Sequence, residues 1–359
     1  MNTYGVILAG GGGTRFWPLS RQKTPKQLLN LSGKELMVNE AVERMSTVIG
    51  KSNIFIVTAE SQASSMIRAT QGKVFPRNIL AEPAARNTTA CIGYSAMEIV
   101  RKYGDGVMII TPADHYIEDV PALTEILKAA ILTAENYDKL VTIGIKPTFP
   151  SIGFGYIKYE TSAESDVKPV VEFKEKPDEE TAKRYVGSGE YVWNSGIFIW
   201  KASLVLNKLK EYVPDIYEDF KTIGDSMNTP NEQEVLHKVY PNIRKISIDY
   251  AVMEPSAAKG DVLVIIPSDC GWNDVGSWDM METLHAPDED GNIIFGDGVA
   301  VDTKDTVIYS SSRTVTAVDV ENLIIVETPD AIMVCRKDKA QGVKKIVDAL
   351  NDAGRKELL

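Results

Sequence analysis

The chain has 359 residues, 44% of them hydrophobic, enough to bury a large core in one big domain with a smaller companion. Its formal net charge of -11 disfavours nonspecific attachment to nucleic acid or an anionic membrane, so a nucleotide would have to be held by a local basic site. Cys91, Cys270 and Cys335 are widely spaced without a C-x-x-C and the three histidines are equally scattered, which argues against a disulfide framework or structural zinc and suits a reducing cytoplasm.

In chain order, an apolar strand at Gly5 to Ala9 runs into four glycines, Gly10, Gly11, Gly12 and Gly13, and then into Arg15, Arg21, Lys23 and Lys26. Glycines let successive backbone N–H groups crowd one anion, and the cations that follow neutralise its charge, so this segment is expected to hold a polyphosphate. No G-x-x-x-x-G-K-[ST] occurs, and Arg15 stands where a G-x-G-x-x-G loop needs its third glycine, so neither a Walker nor a Rossmann loop fits. The bland alternative is a flexible linker. No basic region precedes the first apolar run and Val262 to Ile266 is too short to cross a bilayer, so neither export nor membrane anchoring is expected.

Further continuous apolar runs at Ile54 to Thr58, Val107 to Thr111 and Leu140 to Ile145 alternate with helical patterns at Leu36 to Val48, Thr88 to Lys102 and Ala122 to Glu135. This rhythm predicts an α/β domain with a doubly wound, mostly parallel sheet, whose ligands gather at the carboxyl ends of the strands. In AEPAARNTTA, Asn87 or Thr88 would cap a helix, while Glu82 could accept the paired N1–H and N2–H of guanine. TPADH puts Asp114 just past a buried strand, where it could ligate Mg²⁺ or merely cap a turn. The neighbouring His115 suits a supporting hydrogen bond better than catalysis.

From Gly153 to Ser203 the texture changes to GFGYI, EFKEKP and WNSGIF, read as an inserted substrate-binding region. Glu175 could take sugar hydroxyls and Lys176 a phosphate, unless the run is simply a solvated face; Asn194 could bind a polyol, unless WNSGIF is only a bulge. GWNDVGSW offers Asp274 as a second metal carboxylate, or as the cap of a helix near Ser277. The catalytic domain is expected to span 1–285. Over 286–359, short apolar triplets centred on Ile308, Thr316, Ile325 and Met333 predict a small β-solenoid or curled sheet closed by a helix from Lys337 to Leu350, its apolar strands suited to a homodimer contact.

Taken in order, GGGGTRFWPLSRQKTPKQ, AEPAARNT, TPADH, GFGYI, EFKEKP, WNSGIF, SIDYAVME and WNDVGSW resemble the sugar-phosphate nucleotidylyltransferases, most closely the mannose-1-phosphate guanylyltransferases. The resemblance implies a nucleotide-diphospho-sugar transferase fold with a short left-handed β-helix, and synthesis of GDP-mannose and pyrophosphate from GTP and mannose 1-phosphate with Mg²⁺. It implies that Leu8, Ala9, Gly10 to Gly13, Thr14, Glu82, Asn87 and Thr88 bind nucleotide, and that Arg15, Lys26 and Lys176 are catalytic. It further assigns Gly155, Glu175, Asn194 and Asp274 to the sugar, and Asp114 with Asp274 to the metal. Longer members continue into a mannose-6-phosphate isomerase module; this chain stops at Leu359, so no isomerase activity is expected. The rival readings are transfer to another sugar 1-phosphate, and a catalytically silent sensor of nucleotide sugar.

Overall fold

The structure, a computed structural model, describes residues 1–162, 165–267 and 269–359. Its first half follows the apolar rhythm: β1 (Asn2–Leu8), α1 (Met37–Ser46), β2 (Ile54–Ala59), α2 (Glu60–Ala69), β3 (Ile79–Glu82), α3 (Asn87–Tyr103) and β4 (Gly106–Pro112). The strands are short and almost wholly buried because helices cover both faces of the sheet. Next come β5 (Tyr116–Ile117), α4 (Val120–Asn136) and β6 (Leu140–Ile145). Helix α4 starts where the Asp119 carboxylate accepts from Ala122 N–H and Pro121 fits the first turn.

The chain continues through β7 (Tyr156–Tyr159), β8 (Val167–Lys174), α5 (Glu179–Ser188), β9 (Tyr191–Lys201), α6 (Ala202–Tyr212), α7 (Pro214–Ser226), β10 (Val262–Ile265) and β11 (Trp272–Asn273). Nine of the described strands form one sheet in the order β3-β2-β1-β4-β9-β6-β10-β8-β7. It is mixed, which corrects the doubly wound, mostly parallel expectation. β1 pairs in parallel with β2 and β4, and β10 with β6, but β9 runs antiparallel between β4 and β6, and β8 runs antiparallel to β10 and β7. Continuous apolar sequence reports burial on both faces and carries no information about direction.

Nor is 153–203 a separate insertion. β9 is central to the sheet, with Phe198 and Trp200 buried in the main core. Its reversal has a consequence for the ligand edge: an antiparallel strand brings its own beginning, around Asn194, to the edge where β1 and β4 end. Asn87 and Thr88 do not cap α3, since they lie within its first turn; the N-cap is Arg86.

The C-terminal part holds β12 (Ile293–Phe295), β13 (Gly298–Val301), β14 (Val307–Ser310), β15 (Val315–Val318), β16 (Leu323–Thr328) and β17 (Ala331–Arg336). β14 and β16 pair in parallel with a 17-residue offset, as do β13 and β15, so each coil contributes one strand to each of two faces. β17 turns back antiparallel on β16. The four triplet centres fall in β14 to β17, while the expected terminal helix opens as a 3₁₀ turn, Lys337–Gly342, before the α-helix Val343–Asp352. One apolar cluster joins this part to the glycine loop: Phe16, Trp17, Leu31 and Trp278 pack with Ile293, Val307, Ile324 and Val343. Among the described residues, no helix is long and apolar enough to cross a membrane.

Candidate active site

The glycine segment leaves the end of β1 and is pinned from beneath. Ala9 C=O accepts from Gln27 Nε2 (2.6 Å) and Thr58 Oγ1 (3.0 Å), while Leu8 C=O accepts from Ala113 N–H (2.9 Å). Gly13 has φ +60°, and a Cβ there would lie 2.2 Å from Lys26 Cβ, so only glycine lets the loop turn over that lysine. A Cβ on Gly11 would meet open space and one on Gly12 only Thr14 Cγ2 at 3.9 Å, whereas a Cβ on Gly10 would lie 3.2 Å from Glu82 Oε2. Glu82 is buried; its other oxygen accepts from the Tyr240 hydroxyl. Burial raises its pKa and the Tyr240 bond offsets only part of that. Asn87 is exposed and accepts from Thr88 N–H (2.8 Å). Thr88 Oγ1 accepts from Ile248 N–H (2.9 Å), tying this side of the cleft to the next.

At the seam stands Lys26. Its side chain is 5% exposed, and Nζ donates to Asp114 Oδ2 (2.9 Å), Asp114 C=O (3.2 Å) and Asp274 C=O (2.9 Å). All three ammonium protons are thereby used. Sequence reasoning pointed Lys26 at phosphate; the fold makes it the tie between two distant segments, each carrying an aspartate. Burial opposes the Asp114 charge, yet Lys26 and its other neighbours together hold the carboxyl below the usual aspartate value. Asp274 moves the other way: burial, reinforced by the Asp114 charge, raises it despite Lys26 and Arg15. Asp274 is not a helix cap, since Ser277 holds that position before the short helical turn Trp278–Met280. The next residue, Val275, is buried at φ +45°, an unfavourable conformation for a β-branched residue. His115 is pushed down to about 4 by burial and is neutral, accepting from Trp272 Nε1 (3.1 Å).

On the far side, Gly155, Glu175 and Asn194 come together as expected. Asn194 N–H donates to Gly155 C=O (2.8 Å), and a Cβ on Gly155 would lie 2.5 Å from Glu175 Oε2. Lys176, at φ +43°, donates to Glu175 Oε1 (2.6 Å) and keeps 58% of its side chain exposed. Sequence reasoning missed Asp249, which accepts from Asn194 Nδ2 (3.1 Å). Burial first, then the Glu175 charge, pushes it up to about 6. SIDYAVME carried the available signal; it opens a π-helical turn at Asp249–Met253, a distortion frequent at functional sites.

A bare backbone loop, two aspartate segments tied by a lysine, and a small polar group of Gly155, Glu175, Asn194 and Asp249 are thus brought to the edge of the sheet where β1 and β4 end and β9 begins. The nucleotidyl transferase family matches residues 4–291, and the MannoseP isomerase/GMP-like beta-helix domain matches residues 296–350. The chain is 38% identical over 363 residues to the alginate biosynthesis protein AlgA of Pseudomonas syringae pv. tomato, covering 98% of this chain and 72% of that protein. It is 37% identical over 361 residues to mannose-1-phosphate guanylyltransferase of Escherichia coli, covering 99% and 74%. Among solved structures, one described as mannose-1-phosphate geranyltransferase from Thermus thermophilus matches with a TM-score of 0.87 at 29% identity, covering 98% of this chain and 100% of that one.

Proposed function

This chain belongs to the nucleotidyl transferase family, in its mannose-1-phosphate guanylyltransferase branch, and on that premise we propose that it transfers GMP from GTP to α-D-mannose 1-phosphate. The products are GDP-mannose and pyrophosphate. The observation that carries this reading is the Lys26 junction, which ties Asp114, just past β4, to Asp274 directly beneath the turn of the glycine loop.

Leu8 to Thr14 wrap the triphosphate, with Arg15 at its outer end; Glu82 receives the base, and Asn87 and Thr88 line the helix start beside it. Gly155, Glu175, Asn194 and Asp249 take the sugar hydroxyls, and Lys176 the sugar phosphate. A phosphate oxygen of the sugar attacks the α-phosphorus in line while pyrophosphate leaves opposite. That oxygen is already ionised, so no base is needed. The obstacle is repulsion between two polyanions, which Lys26, Lys176 and Arg15 lower by placing positive charge where negative charge develops.

Asp114 and Asp274 fit Mg²⁺. Each is a hard oxygen donor, and among the described residues no side-chain donor bonds the Asp274 carboxylate, whose charge burial disfavours. When bound there, Mg²⁺ supplies charge neutralisation to the phosphates. A cytoplasmic location suits the wide spacing of Cys91, Cys270 and Cys335. Exposed Val299, Val301 and Val318 on β13 and β15 suit a homodimer contact.

The test is pyrophosphate release with the four nucleoside triphosphates crossed with mannose, glucose and fucose 1-phosphates, with and without Mg²⁺. GTP with mannose 1-phosphate and Mg²⁺ should dominate; strict preference for another pair would overturn the substrate assignment.

A further inference from the structure

Besides the shared apolar core, the C-terminal domain touches Arg15, just past the glycines, through an exposed side chain. Gln341, on the 3₁₀ turn after β17, accepts at Oε1 from Arg15 Nη1 (3.1 Å) and donates from Nε2 to Ser277 Oγ (2.7 Å). Ser277 in turn donates to Asp279 Oδ1. Chemistry fixes the direction of this chain. An ionised carboxylate only accepts, so Asp279 takes the single Ser277 proton, and Ser277 must accept from Gln341. The Gln341 NH₂ therefore faces Ser277, and its carbonyl faces Arg15, which only donates. Arg15 Nη1 lies 3.3 Å from where a Gly276 Cβ would stand, and Asp274 Oδ2 lies 3.2 Å from the same point. The guanidinium thus stands near the Asp274 carboxylate, whose charge it favours, and is bonded to the C-terminal domain.

We infer that Gln341 is a positioning residue for nucleotidyl transfer: it fixes the Arg15 guanidinium at the phosphate end of the cleft, so that triphosphate recognition by the first domain depends on a side chain of the second. The inference rests on the proposed function in taking Arg15 to face the triphosphate. An arginine on an exposed loop loses much rotamer freedom when it meets a ligand, and a partner that orders it beforehand removes that penalty from binding. Gln341 is poorly suited to a purely structural role. The domains are already joined by Phe16, Trp17 and Trp278 packed with Val307 and Ile324, and one exposed hydrogen bond adds little to that.

The experiment compares wild type, Gln341→Ala, Arg15→Ala and the double variant by steady-state pyrophosphate release, by calorimetric binding of the triphosphate, and by melting temperature. Gln341→Ala should raise KM and Kd for GTP about fivefold, the loss of one charge-assisted hydrogen bond. Its KM for mannose 1-phosphate and its melting temperature should stay at wild-type values, and its kcat should fall no further than that of Arg15→Ala. The double variant should bind GTP no more weakly than Arg15→Ala, because the two residues act as one unit. Unchanged GTP affinity in Gln341→Ala, or additive losses in the double variant, would overturn the inference. Inactivity of wild type with GTP and mannose 1-phosphate would instead count against the proposed function; the four proteins are then compared with the nucleotide that wild type does bind.

Discussion

Lys26 shows how far one buried cation can organise a site: three protons meet three oxygens from segments 88 and 248 residues away in sequence. Around it, single substitutions have distinct expected outcomes. Lys176→Ala and Asp274→Ala should each lower turnover by about 10²-fold or more while leaving the melting curve intact; near-normal turnover in either would remove that residue from the mechanism. Gly13→Ala meets both a positive φ and the Lys26 side chain, so thermal or chemical denaturation should show a loss of more than ~1 kcal/mol together with collapse of activity. Asp249 gives a pH signature. Its pKa in the fold, about 6, lies above its unfolded value, so the fold favours its protonated form. The stability this contributes is complete below the unfolded pKa of about 4 and is lost as pH rises through 6. The melting temperature of Asp249→Asn relative to wild type should therefore climb across that window and then level off. A difference that stays flat from pH 4 to 7 would contradict the burial argument.

At the scale of elements, the strand–helix rhythm, the glycine loop after β1 and the 17-residue coil of the C-terminal strands were all legible, because each is a local pattern of burial or turn chemistry. Strand direction was not. β8 and β9 are joined by a helix, yet both run against β10 and β6, since hydrophobic periodicity specifies which faces are buried and not which way the chain runs. The placement of the candidate site residues was legible wherever a residue follows a strand end or interrupts a strand, as with Asp114, Glu175 and Asn194. Asp249 escaped because it sits in a helical distortion with no composition of its own. Close helix packing adds a test at this scale. Gly93 in α3 leaves room for Phe220 of α7, and a Cβ would lie 2.1 Å from its ring. Gly93→Ala should destabilise by roughly 1–3 kcal/mol in chemical denaturation despite the better helix propensity of alanine; a neutral effect would mean that α7 shifts freely.

Across the whole molecule, the C-terminal coil and the catalytic sheet share a core, since the residues just past the glycine loop, Phe16 and Trp17, pack with the first coil strands. A chain ending at residue 285 should therefore expose Trp278 and Phe16, lose cooperative melting and aggregate; a soluble, fully active fragment would refute that shared-core view. The same layout would let a protein of net charge -11 accept the proposed triphosphate: backbone N–H groups and a few local cations would do the work that the overall field opposes. The most direct measurement is a crystal structure of the protein soaked with GTP and Mg²⁺. The account predicts the triphosphate on the Gly10 to Gly13 backbone, beside Arg15 and the Asp114–Asp274 pair; a triphosphate directed away from that loop into solvent would contradict it.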